Sequence, residues 1–512
     1  SHQASCVTLP KRVAFPGKRP VAAEKYRLPF RHTQHEMQAP ASTEIQRPTP
    51  VAPRRVAQPP PRAPAGTMQV APWSEPGLGQ LIVVSCYTRF DNLAHGPKGT
   101  QAPHSLYTYV MDPSDGQMVL VSISEEPVMN PAFMRFHPRR NVLYACTESV
   151  AEPGEIVSWA VCPRTGRLSK LASSSAQGTS TCYLTLDKEC ENMLVVNYWN
   201  ATIGVFSLSG EQEGALQFRS MHDPNEGRQM KARHDRHVNH SQNDPSAQKE
   251  RQSDPHSHAV ILDPYFGKIA YVPDLGMDVV RQFRYDAAAG TLTAAGILKS
   301  GPEGRSALGP RYIEFHPTLP ICYVVNELSS EVSVFRFDAK TAERLIEASP
   351  EEVEQAAPTL RLVQTLSTIP EGFDGQLNTC GRIAVHPSGS FVLVSNRGHD
   401  SIAVFRVQYE LPAAGLLLPA QTQHTRGATP RHFQFDGSGQ FVIAANQDSD
   451  NISVFRLNLA TGRLEWTGHV YSVPSPNFVC SVVPHREAAA RSLHSVAPKG
   501  HGRVAAAAHS RL

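Results

Sequence analysis

Residues 380–407 read CGRIAVHPSGSFVLVSNRGHDSIAVFRV, and residues 429–458 read TPRHFQFDGSGQFVIAANQDSDNISVFRLN. Both contain a short apolar segment, a tight turn, a second apolar segment, a polar loop and a third segment of alternating character. Glycine and proline at the turns, with alternating apolar and polar residues between them, are typical of short strands joined by hairpins. The pattern therefore predicts successive strands of an antiparallel sheet.

The same pattern recurs along most of the chain. Its first segment ends at a His or Asp anchor, and these anchors fall at positions 137, 187, 263, 316, 386 and 436. A fourth strand fits the segment that follows the third, as in GRLEWTGHV (462–470). Four antiparallel strands repeated about every 50 residues predict a β-propeller. The two longest gaps between anchors, 187–263 and 316–386, predict insertions in those blades.

The two ends of the repeat region complement each other. VPSPNFVCSVVP (473–484) resembles a first strand with nothing after it, and GQLIVVSCYT (79–88) resembles a second strand with nothing before it. Pairing them would complete a seventh blade and leave no exposed strand edge. We therefore predict an all-β fold, a seven-bladed β-propeller of four-stranded blades over residues 78–485, closed by pairing of its N- and C-terminal segments.

Composition limits the remaining segments and the class of protein. Residues 1–77, rich in proline and arginine, and residues 486–512 are predicted to be disordered, because they have few apolar groups to offset their ordering entropy. An organelle transit peptide within 1–67, or a natural start at Met68, are alternatives for the leader. Residues 211–253 are predicted to form a long polar insertion that is a lid over the channel or a disordered loop.

The charge balance and the cysteines point to a soluble intracellular protein. The chain of 512 residues has 49 Lys and Arg against 46 Asp and Glu, which predicts no nucleic-acid partner, and it contains no apolar run of membrane-spanning length. Its nine cysteines are scattered without a CxxC motif, so we interpret them as reduced thiols and predict a cytoplasmic location. We expect a monomer or weak homo-oligomer.

Aligning the repeats predicts which side chains surround one mouth of the central channel. In a propeller the first strand lines the channel, and the start of that strand lies beside the end of the second. The position five residues before each anchor holds Ala132, Cys182, His258, Arg311, Gly381 and Arg431. The position sixteen residues further on holds Glu148, Tyr198, Asp274, Glu327, Arg397 and Gln447.

Several arginines converging on one mouth favour an anionic ligand, since guanidinium groups bind carboxylate or phosphate through paired hydrogen bonds. A histidine beside a glutamate can transfer protons near neutral pH. The alternative is that these side chains only satisfy one another at the hairpin ends. Metal binding by the histidines between 222 and 258 is a further alternative, but no third ligand has a fixed spacing, so no metal is predicted.

The motifs PHSHAV (255–260), GPRYIEFHP (309–317), NEL (326–328) and SNRG (395–398) resemble those of the lactonase family of seven-bladed propellers. This family includes cofactor-free 6-phosphogluconolactonases and carboxy-cis,cis-muconate cyclases. The resemblance covers about residues 79–484. It implies catalytic roles for His258, Arg311, Glu327 and Arg397, the same four residues that the aligned repeats place together.

Two positions depart from the family pattern: Tyr312 stands where the family usually has histidine, and Arg382 where it usually has glutamate. We predict that the substrate-binding residues are Asp274, Arg431, His256 and Arg382. The resemblance implies hydrolysis of a small anionic lactone, with 6-phosphogluconolactone of the pentose phosphate pathway as the leading candidate, and no cofactor. A muconate cyclase and a non-catalytic binding platform are the alternatives.

Overall fold

Seven separate four-stranded antiparallel sheets make up the described part of the protein. A computed structural model describes residues 80–210, 212–224 and 251–485. Its strands, in chain order, are β1 (Gln80–Cys86), β2 (Leu106–Met111), β3 (Met118–Ile123), β4 (Pro131–Phe136), β5 (Val142–Thr147), β6 (Pro153–Val161), β7 (Leu168–Thr179), β8 (Thr181–Leu186), β9 (Asn192–Asn197), β10 (Thr202–Ser207), β11 (Gln217–His222), β12 (Ile261–Leu262), β13 (Ile269–Asp274), β14 (Val279–Asp286), β15 (Thr291–Lys299), β16 (Pro310–Phe315), β17 (Ile321–Asn326), β18 (Glu331–Phe337), β19 (Leu360–Ser367), β20 (Thr379–Val385), β21 (Phe391–Arg397), β22 (Ser401–Val407), β23 (Leu417–His424), β24 (Pro430–Phe435), β25 (Phe441–Asn446), β26 (Asn451–Asn458), β27 (Arg463–Ser472) and β28 (Pro476–Val482).

Each sheet is one blade, and its strands follow one another in sequence except in the blade that closes the ring. Blade 1 has the order β28-β1-β2-β3, and blades 2 to 7 begin at β4, β8, β12, β16, β20 and β24. The predicted seven-bladed propeller is therefore confirmed. Strand β28 pairs antiparallel with β1, with Leu81 opposite Val482 and Ser85 opposite Phe478, as predicted for the two chain ends.

The anchor residues at the ends of the first strands fold the hairpin turns, and some of them also connect neighbouring blades. The Asp263 carboxylate accepts hydrogen bonds from the backbone N–H groups of Tyr265 and Phe266 through Oδ1, and of Lys268 and Ile269 through Oδ2. In blade 5, His316 Nδ1 accepts from the N–H of Leu319 at 2.9 Å, and its Nε2 lies 3.0 Å from the Gly389 carbonyl oxygen in blade 6. Because these bonds require a His or Asp, the anchors recur.

The hydrophobic core lies between adjacent blades. Every residue of the second strands β5, β9, β13, β17 and β25 is buried, because these strands are covered on both faces by neighbouring sheets. Trp159, Tyr144 and Tyr183 are among the largest fully buried side chains. The apolar runs that marked second strands in the sequence are therefore the centres of the blades.

Both long gaps between anchors correspond to additions. In blade 5, the third and fourth strands are joined by helices α1 (Ala339–Glu347) and α2 (Pro350–Val353), and a short 3-10 helix, Gly375–Leu377, follows the fourth strand. Another short 3-10 helix, Gln447–Ser449, lies in blade 7. In blade 3, the predicted insertion 211–253 includes β11, the fourth strand of the blade, while residues 211 and 225–250 lie outside the described residues. The two terminal segments predicted to be disordered, 1–77 and 486–512, also lie outside them. No helix among those described is long and apolar enough to cross a membrane.

Candidate active site

A β-bulge at the start of the inner strand determines which side chain enters the channel mouth. The ladder shifts register after Pro131, Thr181, Pro310, Cys380 and Pro430, so the residue that follows each is left out of the pairing, and in blade 6 Arg382 is left out as well. Bulges commonly re-aim a side chain next to a functional site. The residues left out include Arg311 and Arg431, which explains why the aligned repeats placed them at the channel.

An asparagine holds the end of the second strand. It directly precedes the second aligned position at the channel mouth, which Glu327 and Arg397 occupy. Asn396 Nδ2 donates to the Thr368 carbonyl oxygen at 2.8 Å, and Asn446 Nδ2 donates to that of Thr425 at 3.1 Å. Asn197 and Asn326 make the equivalent bond to Ala176 and Ser300. Because each bond ties the end of the second strand to the outer strand of the preceding blade, the next residue is fixed at the mouth.

Glu327 is the centre of the upper mouth, which we define as the end of the channel where the inner strands begin. Its side chain is 2% exposed. Its Oε2 lies 2.7 Å from Arg311 Nε, while its Oε1 accepts from Arg251 Nη2 at 2.6 Å and lies 3.0 Å from Arg397 Nη2. One carboxylate thus faces three guanidinium groups, which leaves an excess of positive charge.

The arginines are themselves held by backbone oxygens. Arg311 Nη1 donates to the Gly381 carbonyl oxygen at 2.8 Å, and Arg397 Nη2 donates to that of Cys380 at 2.6 Å. Both side chains are 4% exposed. The first bond joins blade 5 to blade 6, the second lies within blade 6, and both hold the guanidinium planes in place before any ligand arrives.

The electrostatics of this cluster keep Glu327 ionised. Burial by itself raises the pKa of Glu327, but Arg251, Arg397 and Arg311 together outweigh it and hold that pKa well below its usual range. Burial and the neighbouring Arg311 lower the pKa of Arg397 to about 10. At neutral pH the carboxylate is therefore charged and weakly basic, and Arg397 remains protonated.

His258 lies at the same mouth as a neutral imidazole. Its backbone N–H donates to the Pro273 carbonyl oxygen at 2.9 Å, its Nδ1 lies 3.9 Å from Cys182 Sγ, and its ring packs edge-on against Tyr198 and Tyr312. Burial, followed by the positive charge of Arg311, lowers the pKa of His258 well below its ordinary value. Such an imidazole is unprotonated at pH 7 and can accept a proton.

A second carboxylate, Glu148, lies in the same mouth with a different set of partners. Its Oε2 accepts a hydrogen bond from the Tyr87 hydroxyl at 2.7 Å and lies 3.6 Å from Arg431 Nη2, and its Oε1 lies 3.8 Å from His95 Nδ1. Burial and then the charges of Arg431 and Arg397 lower the pKa of His95 well below its ordinary value. Glu148 therefore neutralises Arg431 only in part.

Two of the residues predicted to bind substrate make hydrogen bonds within the protein. Asp274 is fully buried; its Oδ1 accepts from the His256 N–H at 2.8 Å, and its Oδ2 accepts from Arg281 Nη2 at 2.8 Å. The His256 ring stacks on Tyr198 with centroids 4.7 Å apart. Both residues thus support the neighbourhood of His258 and Tyr198, and a direct contact with substrate stays a prediction.

Below the upper mouth, an aromatic layer fills the channel. It consists of Phe133, Tyr183, Tyr312, His432 and Phe478, all buried. Ring centroids are 4.3 Å apart for Phe133 and Tyr183, 3.7 Å for His432 and Phe478, and 5.3 Å for Tyr183 and Tyr312. The guanidinium carbon of Arg311 lies 4.5 Å from the centroid of the Tyr312 ring, so the layer forms the floor of the upper mouth.

Arg382 lies on the other side of this layer from the Glu327 cluster. Its Nη2 pairs with Glu314 Oε1 at 2.9 Å, and its guanidinium carbon lies 5.5 Å from the Tyr312 ring centroid. It lines a cavity of about 320 Å³, together with Arg135, Gln434, Phe136 and His485, at the end where the inner strands finish. We call this cavity the lower pocket. Among the described residues, the Arg382 side chain contacts Glu314 and Tyr312 rather than Glu327, Arg311 or Arg397. Its role in substrate binding therefore stays a prediction.

Sequence reasoning missed three residues of the upper mouth. Arg251 precedes the first strand of blade 4, where no repeat register exists to align it. Tyr87 follows the second strand of blade 1, so it is the seventh member of the column that contains Glu148 and Glu327. Extending the alignment across the two separated parts of blade 1 would have found Tyr87. His95 lies in a loop that has no counterpart in the other blades.

The described residues contain no group of three or more His, Cys, Asp or Glu side chains that could hold a metal ion. Of the histidines weighed as ligands, His222 packs against Phe283, while His234, His237 and His240 lie outside the described residues. Four arginines at the upper mouth, Arg251, Arg311, Arg397 and Arg431, outnumber its two carboxylates, Glu148 and Glu327. This arrangement suits an anion.

Comparison with known proteins shows the family to which the chain belongs. Residues 82–481 match the model of the family described as lactonase, 7-bladed beta-propeller. The chain is 30% identical over 359 residues to the 6-phosphogluconolactonase of Bacillus subtilis, which spans 70% of this chain and 88% of that protein.

Solved structures show the same fold. The periplasmic gluconolactonase of Pseudomonas aeruginosa superposes with a TM-score of 0.62 at 24% identity, covering 79% of this chain and 99% of that one. A putative 6-phosphogluconolactonase of Bacteroides fragilis has a TM-score of 0.60 at 24% identity, covering 79% and 98%. With the family model spanning the whole propeller, the chain belongs to the lactonase family of seven-bladed β-propellers.

Proposed function

We propose that the protein hydrolyses the ester of a phosphorylated sugar lactone, with 6-phosphogluconolactone as substrate and 6-phosphogluconate as product. The observation that carries the proposal is a neutral, buried His258 at a mouth where three arginines share one carboxylate. A proton acceptor beside excess positive charge suits an anionic substrate with an electrophilic carbonyl. The similarity to the Bacillus subtilis 6-phosphogluconolactonase supports the same choice.

The proposed reaction needs one base, one oxyanion partner and one proton donor. His258 accepts a proton from water as the water oxygen bonds to the lactone carbonyl carbon. The tetrahedral oxyanion is stabilised by the guanidinium of Arg311, which is held in place by Glu327 and the Gly381 carbonyl oxygen. The bond from that carbon to the ring oxygen then breaks, and protonated His258 returns the proton to the leaving oxygen.

In this proposal Glu327 is a positioning residue rather than the base. Its pKa lies well below its usual range because three guanidinium groups surround it, so the carboxylate has little tendency to accept a proton at neutral pH. Its contribution is to orient Arg251, Arg311 and Arg397 and to limit their mutual repulsion. The residue motifs alone left the roles of His258 and Glu327 open.

The phosphate is proposed to bind the more accessible arginines of the upper mouth. The side chains of Arg251 and Arg431 are 26% and 13% exposed, against 4% for Arg311 and Arg397. A guanidinium can bind phosphate through two parallel hydrogen bonds. This division leaves the more deeply buried Arg311 for the carbonyl end of the lactone.

The test is the rate of 6-phosphogluconolactone hydrolysis by the purified full chain, corrected for spontaneous opening. We expect a rate above background, which His258→Ala lowers by roughly 10²–10⁴-fold because the base is lost. His424→Ala, an exposed histidine at the end of β23, is the matched control and should keep the wild-type rate. A folded chain with no rate above background would contradict the proposal and favour a muconate cyclase or a binding platform.

We also propose a cytoplasmic location. The eight cysteines of the described residues are free thiols, as expected in a reducing compartment. Fractionation of cells that express the full chain tests this location; recovery with membranes or with an oxidising compartment would contradict it.

A further inference from the structure

The lower pocket contains two arginines, Arg135 and Arg382, and the hydrogen bonds of Arg382 are incomplete. Arg382 Nη2 pairs with Glu314, but its Nε and Nη1 are buried and make no hydrogen bond within the described part of the chain. Arg135 donates from Nε and Nη2 to the Leu184 carbonyl oxygen at 3.2 and 3.1 Å. Buried donors without an acceptor are costly, so the pocket has a deficit of negative charge.

The rest of the lining is apolar and partly aromatic. The ring of Phe136 is stacked with that of His485, with centroids 5.9 Å apart and planes 12° from parallel. Phe133 and Phe478 of the aromatic layer form another part of the wall. A cavity of about 150 Å³ is large enough to hold benzene. The lower pocket, at about 320 Å³, therefore has room for one ring and a charged substituent.

We propose that the lower pocket binds a single-ring carboxylate, with the carboxylate on Arg382 and the ring against the aromatic wall. A carboxylate accepts two parallel hydrogen bonds from one edge of a guanidinium, through Nη2 and either Nε or Nη1, so displacement of Glu314 from Nη2 leaves such an edge of Arg382 free for the ligand. Glu314, 22% exposed, is its present partner and competes with the ligand. The aromatic layer separates this site from the upper mouth, so it is independent of the proposed lactone hydrolysis.

The proposal is tested by titrating the full chain with 4-fluorobenzoate and following the ligand by ¹⁹F NMR. We expect saturable binding, at least tenfold weaker binding of the neutral 4-fluorobenzamide, and at least a tenfold loss of benzoate affinity in Arg382→Met. Val483→Trp provides a second variant. Val483 is 59% exposed at the edge of the pocket, so the larger side chain should block entry without disturbing the core.

Two further variants locate the bound anion. Arg406→Met, on an exposed face of β22 outside the pocket, is the matched control and should bind 4-fluorobenzoate like the wild type. Arg397→Met should also leave binding unchanged. Loss of binding in Arg397→Met but not in Arg382→Met would place the anion in the upper mouth and overturn the proposal, as would failure of the wild-type chain to bind.

Discussion

The upper mouth and the lower pocket lie on the same channel and both are rich in arginine, yet their charges are arranged differently. In the upper mouth, Glu327 is 2% exposed and contacts three guanidinium groups, two of which also bind backbone oxygens. In the lower pocket, Glu314 is 22% exposed and, among the described residues, pairs with one guanidinium group, that of Arg382. The upper arginines are therefore fixed around a carboxylate that cannot leave, whereas Arg382 has a partner that solvent can replace.

This difference follows from depth along the inner strands. Arg311 and Glu314 are three residues apart on β16, about 10 Å at the usual rise of a strand, and the aromatic layer lies between their surroundings. The bulged start of the strand faces the ends of the second strands, where polar side chains collect. The far end faces the hairpin turns. One repeat thus builds two chemically different ends from neighbouring positions.

The largest expected effect is on stability, in the pair Glu327→Gln and Glu314→Gln. Glu327→Gln leaves the buried Arg311 and Arg397 and the partly buried Arg251 without a countercharge and should lower the free energy of unfolding by about 3–5 kcal/mol. Glu314→Gln removes a partly solvated pair and should cost about 1 kcal/mol or less. Urea unfolding followed by tryptophan fluorescence measures both. Equal losses would show that the two carboxylates are equally essential to the fold.

A smaller effect is expected on substrate affinity, in the pair Arg431→Met and Arg382→Met. Losing a charged hydrogen-bond partner of the phosphate should raise KM for 6-phosphogluconolactone by roughly ten- to a hundredfold in Arg431→Met. Arg382→Met should change KM by less than about threefold, because Arg382 contacts Glu314 and Tyr312 instead of the Glu327 cluster. A similar rise in both variants would assign Arg382 to the substrate site, as its sequence position predicted.

The smallest expected effect is a displaced acid limb in the pH profile. Burial and Arg311 lower the pKa of His258, so the neutral base persists below pH 6.5, where an ordinary histidine is half protonated. Background-corrected kcat/KM should therefore hold from pH 7 through 6.5 and decline only at lower pH. The same shift makes folding stability present above pH 6.5 and lost as the pH falls. An acid limb centred at or above 6.5 would contradict a neutral His258.

Much of the fold was predictable because the repeat is local. Each hairpin carries its own turn residues, anchor and apolar segments, so the six complete blades could be recognised one at a time, and the unpaired end segments predicted the seventh. The fourth strand of blade 3, β11, was not recognised, because its sequence QFRSMH lies among polar residues and none of its residues is buried. Neither helix of blade 5 was predicted, because they lie in an insertion that the repeat does not describe.

The amino-acid sequence was sufficient for the seven blades, their closure and the meeting of His258, Arg311, Glu327 and Arg397, since alignment of the repeats identifies residues at equal height on the inner strands. The sequence did not predict which groups each charged side chain contacts. Arg251 reaches Glu327, and Arg382 lies below the aromatic layer although Gly381 beside it lies above. These outcomes depend on side chains from different blades meeting across the channel, and on the burial that sets their pKa values, both of which arise only when the ring closes.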